Sequence, residues 1–131
     1  AVMRAAALLL LCLSGLPCYA QGSQPVCEVE SPGQDSREVS CVIPASPEAQ
    51  RFEFVVNFSG GHDDTSASMQ AALDERPLGC EENSKTSLFA EDGEVSLYCR
   101  FTVASAPQSA RLKIAFRWNH AQYTSFVIAR R

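Results

Sequence analysis

The densest concentration of reactive side chains in this chain is Gly61-His62-Asp63-Asp64, a histidine beside two carboxylates, with a second histidine at His120. An imidazole among carboxylates is a donor set for a divalent metal. Such a centre needs three or four ligands on rigid elements, and a glycine-bearing polar stretch supplies none. These residues therefore read as a solvated loop, and no metal or cofactor is assigned. Serine, histidine and aspartate are all present, but no Gly-x-Ser-x-Gly elbow positions a nucleophile. No catalytic residue is assigned, and the chain reads as a non-enzyme. Asn57-Phe58-Ser59 is an N-glycosylation acceptor. Cys27, Cys41, Cys80 and Cys99 lack the Cys-x-x-Cys spacing of a zinc site and read as disulfide partners. Four cysteines allow three pairings, and spacing alone does not choose among them.

The disulfide reading depends on the compartment, which the start of the chain addresses. Met3 and Arg4 form a short basic region, Ala5 to Leu16 an apolar one, and Cys18-Tyr19-Ala20 places small residues where a signal peptidase reads. Residues 1–20 are expected to be a signal peptide. The apolar run is too short to cross a bilayer, which takes roughly 20 residues. Removing the first 20 of 131 residues leaves 111, enough for one domain, with ten basic against fifteen acidic residues and a net charge of −5. An acidic surface argues against nucleic acid and anionic lipid as partners. Nothing after residue 20 is long and apolar enough to span a membrane. The expected location is secreted, or the extracellular side of the cell surface.

The elements that would position these residues announce themselves by alternation. Phe52, Phe54, Val56 and Phe58 share one strand face; so do Val95, Leu97, Cys99, Phe101 and Val103 on a second strand, and Leu112, Ile114, Phe116 and Trp118 on a third. Parity makes Trp118 a core anchor and turns Asn57 outward. Two shorter strands, Val26 to Glu30 and Arg37 to Ile43, flank the turn at 31–35 and read as neighbours. A last strand, Gln122 to about Ala129, reads as the second arm of a hairpin with the Trp118 strand. Residues 59–93 are polar and glycine-punctuated: Ser66 to Glu75 reads as a helical turn or two with Met69, Ala72 and Leu73 on one side, and a short strand near Leu78 to Glu81 carries Cys80. The inventory is an all-β, seven-stranded antiparallel sandwich, with fibronectin type III-like and immunoglobulin-like windings as the alternatives.

Strands at 26–30, 37–43, 51–58, near 80, 94–103, 111–118 and 122–129, with cysteines at 27, 41, 80 and 99, resemble the membrane-distal domain of type I (haematopoietin) cytokine receptors. The likeness extends to Leu112-Lys113-Ile114-Ala115-Phe116-Arg117-Trp118 and to Ser125-Phe126-Val127-Ile128. Cys41-Val42-Ile43 departs from the family's Cys-x-Trp, and the Trp-Ser-x-Trp-Ser box of its second domain is absent. The resemblance implies a fibronectin type III-like fold with bridges Cys27–Cys41 and Cys80–Cys99. An immunoglobulin winding would instead bridge Cys41 to Cys99, and the alternative function is then an immunoglobulin-like immune or adhesion surface domain. The resemblance further implies that residues 21–131 are the first ectodomain of a truncated receptor, non-catalytic, with a helical cytokine and a second receptor chain as partners. Ligand would meet the loops at 31–35, at His62, Asp63 and Asp64, and at 105–108, including Gln108.

Overall fold

A computed structural model describes residues 24–131; the expected signal segment lies outside the described residues. In chain order the strands are β1 (Val26–Pro32), β2 (Ser36–Ile43), β3 (Gln50–Gly61), β4 (Ser66–Leu73), β5 (Arg76–Leu78), β6 (Ser87–Phe89), β7 (Gly93–Val103), β8 (Ala110–Asn119) and β9 (Gln122–Arg130). They form two antiparallel sheets. The larger runs β1-β2-β8-β4-β5, with β6 also paired to β4, and the smaller runs β7-β3-β9.

The long strands form for the reason parity gives: each has an apolar residue at every second position, and all of these face the space between the sheets. Phe52, Phe54, Val56 and Phe58 of β3 are at most 1% exposed, as are Leu97, Cys99 and Phe101 of β7 and Leu112 and Ile114 of β8. Aromatic rings join the sheets: Phe58 lies 5.5 Å from Trp118 and 6.4 Å from Phe116, and Phe54 lies 6.4 Å from Phe116. Trp118 is 6% exposed, the core anchor expected of it, and the Arg37 guanidinium of the same domain caps its ring at 5.3 Å.

The winding differs from the expected one in four respects. Nine strands stand among the described residues where seven were read. Ser66–Leu73 is strand β4, not a helical segment: its alanines suit a helix, but Ala67 and Met69 alternate into the core and the backbone pairs with β8 along its whole length. Strands β8 and β9 are not a hairpin, because the turn between them crosses from the larger sheet to the smaller and β9 pairs with β3. Finally, the strand near Cys80 stops at Leu78, and Cys80 lies in the connection that follows.

These pairings define a two-stranded ribbon with arms β2-β3-β4 and β6-β7-β8. Partners β2·β8 and β4·β6 fall in one sheet and β3·β7 in the other. A ribbon wrapped around a core in this way is the jelly-roll manner of closing a sandwich, and it is not fibronectin type III connectivity.

Both bridges join the cysteines that the family resemblance implied, Cys27 to Cys41 and Cys80 to Cys99. Cys41 and Cys99 each point into the core, but to different partners, which excludes the immunoglobulin bridge between them. Cys27 faces Cys41 directly across the β1·β2 ladder. Cys80 does more: it pins the β5–β6 connection along the free edge of β7. There the Glu81 N–H donates to the Arg100 carbonyl at 2.8 Å, Lys85 and Tyr98 exchange backbone bonds at 2.8 Å, and the Arg100 N–H donates to Ser84 Oγ at 2.8 Å. An edge strand left open invites pairing with another chain, and this segment covers it.

Replacing both Cys80 and Cys99 by alanine frees a loop of sequence separation 19. The chain-entropy model gives a loss of about 3 kcal/mol, measurable by urea unfolding. Amide exchange at Tyr98 and Arg100 should accelerate ahead of the rest of β7. Unchanged protection there contradicts the edge-cover role.

Candidate functional site

The outward side of β2-β8-β4 is built by the same pleat that fills the core. Three outward residues of β8 each stand in a cross-strand row with one from β2 and one from β4: Ser36, Arg117 and Ser68; then Glu38, Ala115 and Gln70; then Ser40, Lys113 and Ala72. Ala115 is the smallest side chain at the middle of this set, so larger polar neighbours enclose a hollow above it, continuous with a concavity lined by Ser36, Arg37, Glu38, Gln70 and Arg117. Lys113 stands 3.6 Å from both Glu30 and Glu38. Arg117 and Gln70 are exposed, and among the described residues neither side chain has a hydrogen-bond or ion-pair partner. One carboxylate, one amide, one guanidinium and two hydroxyls thus converge on a patch held by three paired strands. The outward large aliphatic side chain of these strands is Val42, at the far end from Arg117.

The residues read from the sequence as ligand contacts do not form one surface. His62, Asp63 and Asp64 lie between β3 and β4, at the end of the sandwich that also holds the β8–β9 turn. Gln108 is exposed in the β7–β8 loop, beside the β2–β3 loop, where Ser46 and Ala106 pair. The twelve residues of β3 separate the two ends by roughly 35 Å at ~3.3 Å per residue. The structure does bring His120 to the His62 loop, with its Nδ1 3.5 Å from Asp64 Oδ2 and the two imidazole rings 6.2 Å apart. Gly61 permits the close approach of the β6–β7 connection to the end of β3, since a Cβ there would meet the Glu91 carbonyl oxygen. Asn57 faces outward on β3, as parity required, but its amide donates to Ser125 Oγ at 3.3 Å and its carbonyl accepts from Ser96 at 2.7 Å. Sequence reading missed the Ala115 hollow. Its signal, a small residue amid Lys113 and Arg117, acquires meaning only once β2 and β4 are known to flank β8.

No protein-family model and no curated protein matches the chain. Among the solved structures similar to it is the C-terminal domain of EclA, a sugar-binding protein, at 9% identity and TM-score 0.42, covering 88% of this chain and 86% of that one. A family 35 carbohydrate-binding module from an environmental isolate matches at 6% identity and TM-score 0.41, covering 82% and 85%. The C-terminal CBM6 of LamC from Zobellia galactanivorans matches at 11% identity and TM-score 0.36, covering 79% and 87%. The expected function, a cytokine-binding receptor domain, is corrected here. The sandwich is wound differently, and the loops assigned to the ligand lie at opposite ends.

The groups that titrate away from their ordinary range have structural causes. Tyr123 is raised by burial among the core aromatics. Arg100 is raised by its 2.6 Å bond to Glu53. Glu81 is lowered, chiefly by the Arg131 guanidinium, which grips both carboxylate oxygens at 3.2 and 2.9 Å and also donates to the Phe52 and Phe101 carbonyls. A carboxylate whose folded pKa lies below its unfolded one stabilises the fold above the unfolded value, and that contribution is lost as pH falls through the folded value. Urea midpoints should therefore drop as pH is lowered through and below 4.5, the ordinary glutamate value, and Glu81→Gln should flatten that acid-side slope. An identical slope in the variant contradicts the clamp.

Proposed function

We infer that this domain is a non-catalytic recognition module that takes a polyhydroxylated ligand, a saccharide, on the outward face of β2-β8-β4. One observation carries the reading: Gln70 and Arg117 present polar ends without a partner among the described residues, beside Glu38, Ser36 and Ser68, around a hollow floored by Ala115. A sugar ring offers neighbouring hydroxyls that each donate and accept. An amide does both, a carboxylate accepts and a guanidinium donates, so together they can satisfy such a ring while strands hold their geometry. A protein partner would need a desolvated apolar or aromatic anchor, which this polar face does not offer at its centre. The two disulfides suit an oxidising, extracellular setting, where such ligands are abundant.

The test is a screen of immobilised glycans with the full chain, followed by calorimetry on the hits. Gln70→Ala and Arg117→Ala should each weaken binding by about tenfold, the loss of one or two hydrogen bonds of which one is charged. Glu94→Gln, on the opposite sheet, should leave it unchanged. Binding that ignores both face variants, or the absence of any glycan ligand, overturns the reading.

A further inference from the structure

At the end of the sandwich two loops distant in sequence bring two imidazoles to one carboxylate. His62 Nδ1 contacts Asp64 Oδ1 and stands 3.6 Å from Asp63 Oδ1, while His120 Nδ1 stands 3.5 Å from Asp64 Oδ2. Both backbones are held by one side chain, Thr65, which is fully buried. Its hydroxyl accepts from the His62 N–H at 2.9 Å and donates to the His120 carbonyl at 2.5 Å. The Thr65 N–H donates back to the His62 carbonyl at 3.1 Å, and its own carbonyl accepts from Ala90 at 2.8 Å. The positions of the two histidines are therefore coupled through the core rather than left to a free loop. Their side chains remain about half exposed, at 53% and 52%, and open to an ion from solution.

His62, Asp63 and Asp64 each bring one ligand atom within 4.8 Å of the others, and His120 borders this group through Asp64. A tetrahedral zinc ion with ligands at ~2.0–2.1 Å holds its ligand atoms about 3.4 Å from one another. The His120–Asp64 and His62–Asp63 separations of 3.5 and 3.6 Å match that edge, while His62 and Asp64 are in closer contact. We propose that His62, Asp63 and Asp64, with His120 turning in from the β8–β9 turn as fourth ligand, form a binding site for a borderline divalent metal of the zinc type. Two imidazoles select against calcium and magnesium, which prefer all-oxygen shells. The ion would tie the β3–β4 loop to the β8–β9 turn. The sequence offered His120 beside the His62 loop but no rigid elements to hold them; the buried Thr65, bonded to both backbones, supplies that hold. This inference stands apart from the saccharide reading, since it concerns other residues and a different readout.

The test is calorimetry of the full chain, stripped with a chelator and titrated with zinc alone, then with calcium and magnesium. One zinc per chain should bind, with a matching rise in melting temperature, and neither of the other ions should compete. His62→Asn and His120→Asn should each weaken zinc binding by more than about tenfold, the lower bound of what even an outer-shell partner contributes. Asparagine is chosen at His120 because φ is +54° there and asparagine tolerates that conformation. Metal-free melting temperatures of the variants check that they fold, and His62→Asn serves alone if the other does not. Zinc binding unchanged by His62→Asn, equal affinity for calcium, or no zinc binding overturns the site.

Discussion

The pleat of β8 is the constraint on which the remaining structure depends. Both edges of this strand are hydrogen-bonded, to β2 and to β4, so its register cannot slip by one residue without turning Leu112, Ile114, Phe116 and Trp118 out of the core. The same register fixes the other side. Arg111, Lys113, Ala115 and Arg117 must face solvent at every second position, and the β2 and β4 residues opposite them are set by the ladder. Core and candidate surface are thus two readings of one alternation. A face built this way has no loop entropy to lose on binding a ligand, in contrast to a site carried on mobile connections.

The smaller sheet needs more help, because it has only three strands and two edges. The Cys80–Cys99 bridge and the segment it anchors cover one edge, at β7. Arg131 then fastens that cover: its guanidinium joins Glu81, next to Cys80, to the carbonyls of Phe52 on β3 and Phe101 on β7. Covalent and charge-assisted links therefore gather at one place, where the connecting chain leaves the larger sheet to lie along the smaller. On the larger sheet the Cys27–Cys41 bridge holds β1 at the outer edge, against β2.

Much of this was legible in the sequence, and the parts that were not share a physical cause. Alternation at Phe52–Phe58, Val95–Val103 and Leu112–Trp118 gave each strand and its buried face, because large apolar residues at period two have one way to be buried together. Strand β4 escaped notice because its inward residues include Ala67 and Ala71, whose weak apolar signal is overridden only by pairing with β8. The turn at Asn119-His120-Ala121 looks like a hairpin locally, yet Tyr123 and Phe126 follow it into the smaller sheet, where Tyr123 meets Phe58 edge-on and Phe126 stacks on Phe54. The resemblance to cytokine receptors carried the right cysteine pairs with the wrong winding and function, since sequence-local bridges do not specify which sheet a strand joins. The neighbourhood of His62 and His120, and the hollow over Ala115, are products of that winding and have no local signature.

The most direct test of the account is a map of backbone amide shifts in the 15N-labelled chain while a saccharide ligand is added. The account predicts perturbations concentrated on β2, β8 and β4, centred on Glu38, Ala115, Arg117 and Gln70, with β7, β3 and β9 silent. Perturbations centred on the β7-β3-β9 face or on the loop ends would contradict it.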